Sequence, residues 1–227
     1  FLFDAARLEA RFDLFERFCL PSLRCQSDPE FRVFILASTR MPAAYRARLA
    51  ALVAEDAQIE VVFRDPAKVN EVCFDLLNSY GAARAEVVCQ FRLDDDDALN
   101  VDFVKLLKRD ARRLRELGKR FVVSYPNGIV QQWVDNQWRY RRAALWLNAQ
   151  GLAVVSRGAP DTTPFCLGHM SLYRVMPVAS IPRRRMYVHT VHGGNDSVGR
   201  VTLLDEIEPS AMAALAARYF PFLSIDA

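Results

Sequence analysis

Residues 92–99, Arg-Leu-Asp-Asp-Asp-Asp-Ala-Leu, place four consecutive carboxylates directly after an apolar run at 87–91. Like charges this close repel one another, so holding them together costs stability unless a cation or solvent relieves the repulsion. Carboxylate oxygens are hard ligands that suit Mg²⁺, Mn²⁺ or Ca²⁺. The stretch therefore predicts a divalent metal site. The alternative is a solvated acidic turn, or a group of acids favoured by the N-terminus of the helix that begins near Asn100.

The position of the acids in the chain favours the metal site. The apolar residues before them are typical of a buried strand, and those after them predict the start of a helix. The acids thus fall at the carboxyl end of a strand in an alternating β/α pattern. Open α/β sheets bind their ligands at that edge.

The composition predicts one domain with a substantial core, because 52% of the 227 residues are hydrophobic. The net charge of +3 and the pI of about 8.7 argue against a nucleic-acid partner, since no continuous basic stripe is present. Most of the basic residues are arginine, whose planar fork grips carboxylates and phosphates. An anionic ligand is therefore consistent with the composition.

The five cysteines form no Cys-x-x-Cys pair. They predict reduced thiols rather than disulfides or a zinc site, and hence a cytoplasmic protein. No apolar run reaches the roughly 18 residues of a transmembrane span, and no signal-peptide pattern opens the chain. Contact with a membrane surface through an amphipathic or arginine-rich face stays open.

The first half of the sequence predicts alternating helices and strands. In chain order these are a helix at 4–19 that ends before Pro21, a strand at 31–36, a helix at 42–54, a strand at 59–63, a helix at 67–80, a strand at 86–93 and a helix at 100–117. Such alternation implies parallel pairing through right-handed crossovers. We therefore expect an α/β fold with a doubly wound, mostly parallel sheet.

After residue 120 the pattern changes to short strands at 121–125, 128–134, 138–142 and 152–156, with a turn at 135–136. These predict a smaller antiparallel portion. A tract rich in glycine and proline follows at 157–170, which is typical of a binding loop or lid, and a helix is expected at 209–218.

A second polar constellation lies at residues 189–197, His-Thr-Val-His-Gly-Gly-Asn-Asp-Ser. Imidazole binds Mn²⁺ alongside carboxylates, and the two glycines let the backbone approach a ligand. One of these histidines could complete the coordination sphere of the acidic run. Both are equally consistent with surface or capping roles in a loop, and His169 is interpreted as a structural histidine.

The sequence resembles the rhamnosyltransferase family of GT-A-type glycosyltransferases. The motifs that carry the resemblance are Arg-Phe-x-Leu-Phe at 11–15, Cys-Leu-Pro-Ser-Leu at 19–23, Gln-Ser-Asp at 26–28 and the acidic stretch at 92–99. It implies a nucleoside diphosphate sugar as donor, Mn²⁺ or Mg²⁺ as cofactor, and a glycan or other hydroxyl acceptor. It also implies one GT-A-like domain over 1–227, with a nucleotide- and metal-binding half at 1–118 and an acceptor-side half at 119–227.

The resemblance also assigns roles within the motifs. Asp94-x-Asp96 matches the Asp-x-Asp motif, so Asp96 is the expected direct metal ligand and Asp94 is expected near the donor ribose or a metal-bound water. Asp97 is expected either to support this pair without contacting the metal or to lie on the acceptor side. His192, in preference to His189, is the expected late metal ligand.

Two further roles follow from charge. A diphosphate leaving group gains negative charge as the glycosidic bond breaks, so Arg92 or one of the arginines at 183–185 could hold it. Inverting transfer needs a carboxylate base for the acceptor hydroxyl, and Asp161 and Asp196 are both candidates because spacing does not choose between them. Each is equally a candidate for a turn or cap.

The sequence departs from the family pattern at two places. It begins at Phe1 beside the first helix rather than with an apolar strand, and residues 38–40, Ser-Thr-Arg, stand where many relatives carry an aspartate for the base. These departures favour a second class, a non-catalytic nucleotide- or glycan-binding module. A third class is a calcium-stabilised structural domain, in which the acidic run only binds an ion. The favoured hypothesis is a metal-dependent glycosyltransferase, in which Trp133, Trp138 and Trp146 offer faces for sugar stacking or for the core.

Overall fold

The computed structural model describes residues 2–65, 68–193 and 203–225. The helices are α1 (Ala5–Leu14), α2 (Leu20–Arg24), α3 (Ala43–Leu52), α4 (Val69–Ser79), α5 (Phe103–Arg113) and α6 (Pro209–Tyr219). The strands are β1 (Val33–Ser38), β2 (Ile59–Arg64), β3 (Val87–Phe91), β4 (Ala98–Leu99), β5 (Arg120–Ser124), β6 (Asn127–Val134), β7 (Gln137–Ala144), β8 (Ala153–Arg157), β9 (Val178–Ser180), β10 (Tyr187–Val191) and β11 (Leu203–Ile207). None of the helices in these ranges has the length and apolar character needed to cross a membrane.

The first helix begins as predicted but does not end at Pro21. Asp4 caps α1 by accepting a hydrogen bond from the backbone nitrogen of Arg7 at 3.3 Å. A π-helical turn at Phe15–Cys19 then leads directly into α2, where Pro21 lies in the first turn. Proline is tolerated there because the backbone N–H that it lacks is not needed at the start of a helix. The wider turn before it lets the helix continue to Arg24.

The described strands form three sheets, with the orders β1-β2, β3-β8-β5-β9 and β11-β7-β6-β10-β4. Parallel pairs join β1 with β2, β5 with β9, and β6 with β10, while the remaining pairs are antiparallel. The predicted α/β class is therefore confirmed, but the prediction of one mostly parallel sheet is wrong, because most of the described strand pairs are antiparallel. The main reason is that β3 pairs antiparallel with β8 rather than extending the β1-β2 sheet.

The predicted hairpin in the second half is confirmed. Strands β6 and β7 pair up to Val134 and Gln137, and the two residues between them are Asp135 and Asn136, with φ angles of 52° and 60°. Positive φ at both central residues is the geometry of a type I′ turn, which matches the twist of antiparallel strands. Short polar side chains tolerate that conformation better than most.

A groove of about 1740 Å³ separates β1 from β3. Residues of both strands line it, together with apolar side chains of α1 and α5, and the acidic loop after β3 lies along it. Strand β1 is bonded to β2 on its other edge, and β3 is bonded to β8. The edges of β1 and β3 that face the groove are therefore not paired with each other.

The core has a separate cluster on each face of the β3-β8-β5-β9 sheet. Phe121 and Val123 of β5 belong to the main cluster, which α1, α2 and α5 cover. Val122, between them, points to the opposite face and packs in a smaller cluster with Leu147 and Leu172. This alternation is what a strand buried on both faces requires. The smaller cluster becomes important below because it supports two exposed aromatic rings.

Gly128 offers a test of this packing, because a β carbon at this position of β6 would lie 2.3 Å from the ring of Tyr187. That ring is fully buried, and its hydroxyl donates to the carbonyl of Pro126 at 3.0 Å. We expect Gly128→Ala to lower the free energy of unfolding by about 1–3 kcal/mol through overpacking. Thermal unfolding measures the change. Gly168→Ala is the matched control, since nothing lies within 4 Å of its β position; equal melting temperatures for the two variants would contradict the expectation.

Candidate active site

The acidic loop leaves the carboxyl end of β3 and runs into β4, where the sequence predicted it. Two backbone hydrogen bonds fasten its start: the nitrogen of Arg92 donates to the carbonyl of Leu152 at 3.1 Å, and the nitrogen of Gly151 donates to the carbonyl of Arg92 at 2.9 Å. The nitrogen of Asp97 donates to the carbonyl of Asp94 at 3.3 Å, which closes a tight turn. The loop at 145–152 is therefore the direct neighbour of the acids.

Each of the four carboxylates has a different protein partner. Asp94 accepts a hydrogen bond from Arg92 at 3.1 Å, and Asp95 forms a two-point ion pair with Arg11 of α1. Asp96 contacts His192 at 3.2 Å. Asp97 accepts hydrogen bonds from Gln150, His189 and the backbone of Thr190. Donors in several elements thus offset part of the repulsion within the run, although the charge of Asp97 still raises the pKa of Asp96.

Asp97 is the buried anchor of the loop, with a relative exposure of 1%. Its carboxylate accepts from Gln150 Nε2 at 2.7 Å and from the backbone nitrogen of Thr190 at 2.9 Å, and it lies 3.0 Å from Nδ1 of His189. Burial disfavours the protonated form of His189, but the hydrogen bond and charge of Asp97 outweigh burial, so the pKa of His189 is raised. These contacts tie β4 to β10 and to the 145–152 loop.

Asp96 and His192 form the pair best suited to bind a metal. His192 Nε2 lies 3.2 Å from Asp96 Oδ2, and the two side chains are 15% and 12% exposed. Burial and then the charge of Asp97 raise the pKa of Asp96, while His192 and Arg11 oppose the rise. Within residues 2–65, 68–193 and 203–225, no group of three histidine, cysteine or acidic side chains is placed to hold a metal ion.

Arg92 lies against an aromatic ring of a segment that also carries a histidine, neither of which the sequence singled out for the site. Its guanidinium carbon is 5.0 Å from the centre of the Phe165 ring. Burial lowers the pKa of His169, and the nearby charge of Arg92 lowers it further, against the opposing effect of Asp94. The glycine- and proline-bearing tract at 157–170 therefore lies next to the acids. Membership of that tract is the sequence signal that could have drawn attention to both residues.

A family model described as "Putative rhamnosyl transferase" matches residues 1–202. The chain belongs to this family. The match covers the acidic loop, Arg11, Arg92 and His192, so every contact of the Asp96 and His192 pair described above lies within it. The family description names the transfer of a sugar, which implies a sugar donor and an acceptor. No curated protein matches the chain.

In this rhamnosyltransferase-family chain, the two candidate bases have different positions. Asp161 forms an ion pair with Arg120 at 3.0 Å. Arg120 is paired with Ser156 of β8, whereas the acidic loop follows Phe91, which is paired with Ala153, so Arg120 lies roughly 10 Å further along the sheet. The carboxylate of Asp161 is thus engaged by Arg120 of β5. Asp196 lies outside the described residues.

Contacts in the structure also bear on Arg183 and on the three tryptophans that the sequence offered for sugar stacking. Arg183 forms a two-point ion pair with the buried Asp110, which also accepts from Tyr125 at 2.9 Å, so its guanidinium is committed to the fold and is not placed to hold a diphosphate. Trp138 packs edge-to-face on Phe18. Trp133 and Trp146 are 47% and 50% exposed, so they retain free ring surface.

The contacts of the acids predict unequal effects on stability. Asp97→Ala would leave the buried side chain of Gln150 and the backbone N–H of Thr190 without their acceptor, so we expect it to cost about 2–4 kcal/mol of unfolding free energy. Asp94 is 46% exposed in its pair with Arg92, so Asp94→Ala should cost less than about 1 kcal/mol. Urea denaturation measures both. A cost for Asp94→Ala as large as that for Asp97→Ala would contradict this division.

Proposed function

We propose that this protein is a metal-dependent glycosyltransferase with a GT-A-like arrangement, which transfers a sugar, rhamnose by the family description, from a nucleoside diphosphate donor to a hydroxyl of a glycan or similar acceptor. The observation that carries the proposal is the Asp96 and His192 contact of 3.2 Å, made by side chains from two separate elements beside the groove. Family membership supports the reaction type.

The chemistry of this pair fits Mn²⁺ or Mg²⁺. A carboxylate oxygen and an imidazole nitrogen are both acceptable ligands for Mn²⁺, and Mg²⁺ is commonly held by one or two carboxylates while substrate phosphates and water supply the rest. Two protein ligands are therefore sufficient where a diphosphate is present. Asp94, which Arg92 holds at 3.1 Å, is proposed to lie toward the donor ribose or a metal-bound water.

Charge development explains why the remaining residues are needed. The metal, when bound, would stabilise the negative charge that forms on the diphosphate as the glycosidic bond breaks. Arg92 is proposed to grip the same diphosphate, since its guanidinium is oriented by the Phe165 ring on one side and by Asp94 on another. Asp196, four residues after His192, is the proposed base for the acceptor hydroxyl, in preference to Asp161.

Asp96→Ala tests the proposal directly. In a thermal-shift series with Mn²⁺, Mg²⁺ and Ca²⁺, each with UDP, GDP or dTDP, one metal and nucleotide pair should stabilise the unmodified protein by about 2–3 kcal/mol when the ligands are at about 100 times their Kd. Asp96→Ala and His192→Ala should lose this joint stabilisation. Hydrolysis or transfer from the matching nucleotide sugar should fall at least ~100-fold in Asp96→Ala.

Asp13→Ala is the matched control, because Asp13 is an exposed acid of α1 whose partner is Arg17. It should retain both the joint stabilisation and the turnover. Unchanged turnover in Asp96→Ala would refute the proposed role of the pair. Joint stabilisation without turnover by the unmodified protein would instead identify a nucleotide-binding module, and stabilisation by Ca²⁺ alone would identify a structural metal site.

A further inference from the structure

Two aromatic rings lie side by side at the surface near the acidic loop. Trp146 is 50% exposed and Tyr173 is 48% exposed, although both carry large apolar faces. Their centroids are 5.6 Å apart and their planes meet at 47°, so together they form a shallow notch. Apolar side chains that remain exposed as a group usually mark a binding surface. We propose that this notch, here called the aromatic platform, is the seat for one pyranose ring of the acceptor glycan.

The rings are held rigidly from below. Leu147 directly follows Trp146 and is 1% exposed, and Leu172 directly precedes Tyr173 and is fully buried. Both leucines belong to the smaller core cluster on the outer face of β5 and β8. The backbone at each ring is therefore fixed by its neighbour in the core. A preorganised surface binds a ligand with a smaller loss of conformational entropy.

Hydrogen bonds connect the aromatic platform to the acidic loop. The hydroxyl of Ser124 donates to the carbonyl of Trp146 at 2.8 Å. Within the same loop, Asn148 Nδ2 donates to the carbonyl of Gln150 at 2.7 Å, and Gln150 Nε2 donates to Asp97 at 2.7 Å. The loop that carries Trp146 is thus fastened to the anchor of the acids.

The second ring, that of Tyr173, is connected to the same site through a different segment of the chain. Tyr173 belongs to a 3₁₀ turn at His169–Arg174. That turn continues the 157–170 tract, in which the Phe165 ring lies 5.0 Å from the guanidinium carbon of Arg92. Both elements that form the aromatic platform therefore begin next to the proposed transfer centre. This continuity argues for the acceptor as the occupant, because the acceptor must present a hydroxyl there.

The chemistry of the aromatic platform suits a neutral sugar ring. Aromatic faces pack against the C–H face of a pyranose, and a tyrosine hydroxyl provides a polar edge. The guanidinium of Arg174 lies over the Tyr173 ring, with its carbon 5.8 Å from the ring centre, and its Nε donates to the Tyr173 hydroxyl at 3.5 Å, so this ring offers its opposite face and the hydroxyl edge to a ligand. The identification of the bound sugar as the acceptor rests on the proposed function. Binding of a glycoside at the aromatic platform can be measured without turnover.

The test uses saturation-transfer NMR with methyl α-L-rhamnopyranoside, methyl α-D-glucopyranoside and methyl α-D-mannopyranoside as probes of the full chain. At least one glycoside should receive saturation through its ring protons. Trp146→Ala and Tyr173→Ala should weaken that binding about tenfold, while Trp146→Phe, which keeps an aromatic face, should retain most of it. Trp133→Ala is the matched control, because Trp133 is 47% exposed on the β6-β7 hairpin and should have no effect.

The outcomes separate this inference from the proposed function. The metal and nucleotide stabilisation is measured on the same variants and should not change. If glycoside binding depends on Trp146 but no nucleotide stabilises the protein, the aromatic platform is supported and the transferase proposal fails. If no glycoside binds, or if Trp146→Ala binds as well as Trp133→Ala, the inference is overturned. Binding to phosphatidylcholine and phosphatidylglycerol vesicles that depends on Trp146, without glycoside binding, would also overturn it in favour of a lipid surface.

Discussion

The hydrogen bonds accepted by the buried Asp97 carboxylate determine where the other acids can lie. Strand β4 begins at the next residue and pairs antiparallel with β10, so that Ala98 lies opposite Val188. Because the pair is antiparallel, residues that precede Ala98 lie opposite residues that follow Val188. Asp97 meets the backbone nitrogen of Thr190, and Asp96 meets His192 two residues further on. The contact between Asp96 and His192, the proposed metal ligands, is a consequence of this register.

The acids do not share one role, because their surroundings differ. Asp95 is paired with Arg11, which fastens the loop to α1, and Asp97 joins the loop to β10. Both contacts stabilise the fold. Asp94 is half-exposed beside Arg92, and Asp96 contacts His192, so these two carboxylates are the ones proposed to meet a ligand in the groove. The sequence argument for a metal began from repulsion within the run, but the protein offsets part of that repulsion with its own donors. The argument for a metal now depends on the Asp96 and His192 geometry.

Local sequence patterns predicted the positions of helices, strands and turns more successfully than they predicted which strands pair with one another. The acidic loop at the end of β3 and the turn at 135–136 follow from residues that are close in sequence, and both were predicted. The antiparallel pairing of β3 with β8 joins residues more than 60 positions apart, and no local pattern encodes it. The same limit applies to the site. Gln150 has no motif around it, and only the folded chain brings its amide to Asp97.

The loop at 145–152 links the two sides of the proposed reaction. Its backbone is bonded to Arg92, its buried amide side chains lead to Asp97, and its first residues carry Trp146 of the aromatic platform. Gly151 has a φ of +70°, and a β carbon there would lie 2.5 Å from the ring of Phe103, so the loop packs too closely on α5 to accept a larger residue. A loop held this tightly cannot move the platform without moving the start of the acidic loop. The separation between the proposed donor and acceptor sites is therefore set by the packing of one short segment.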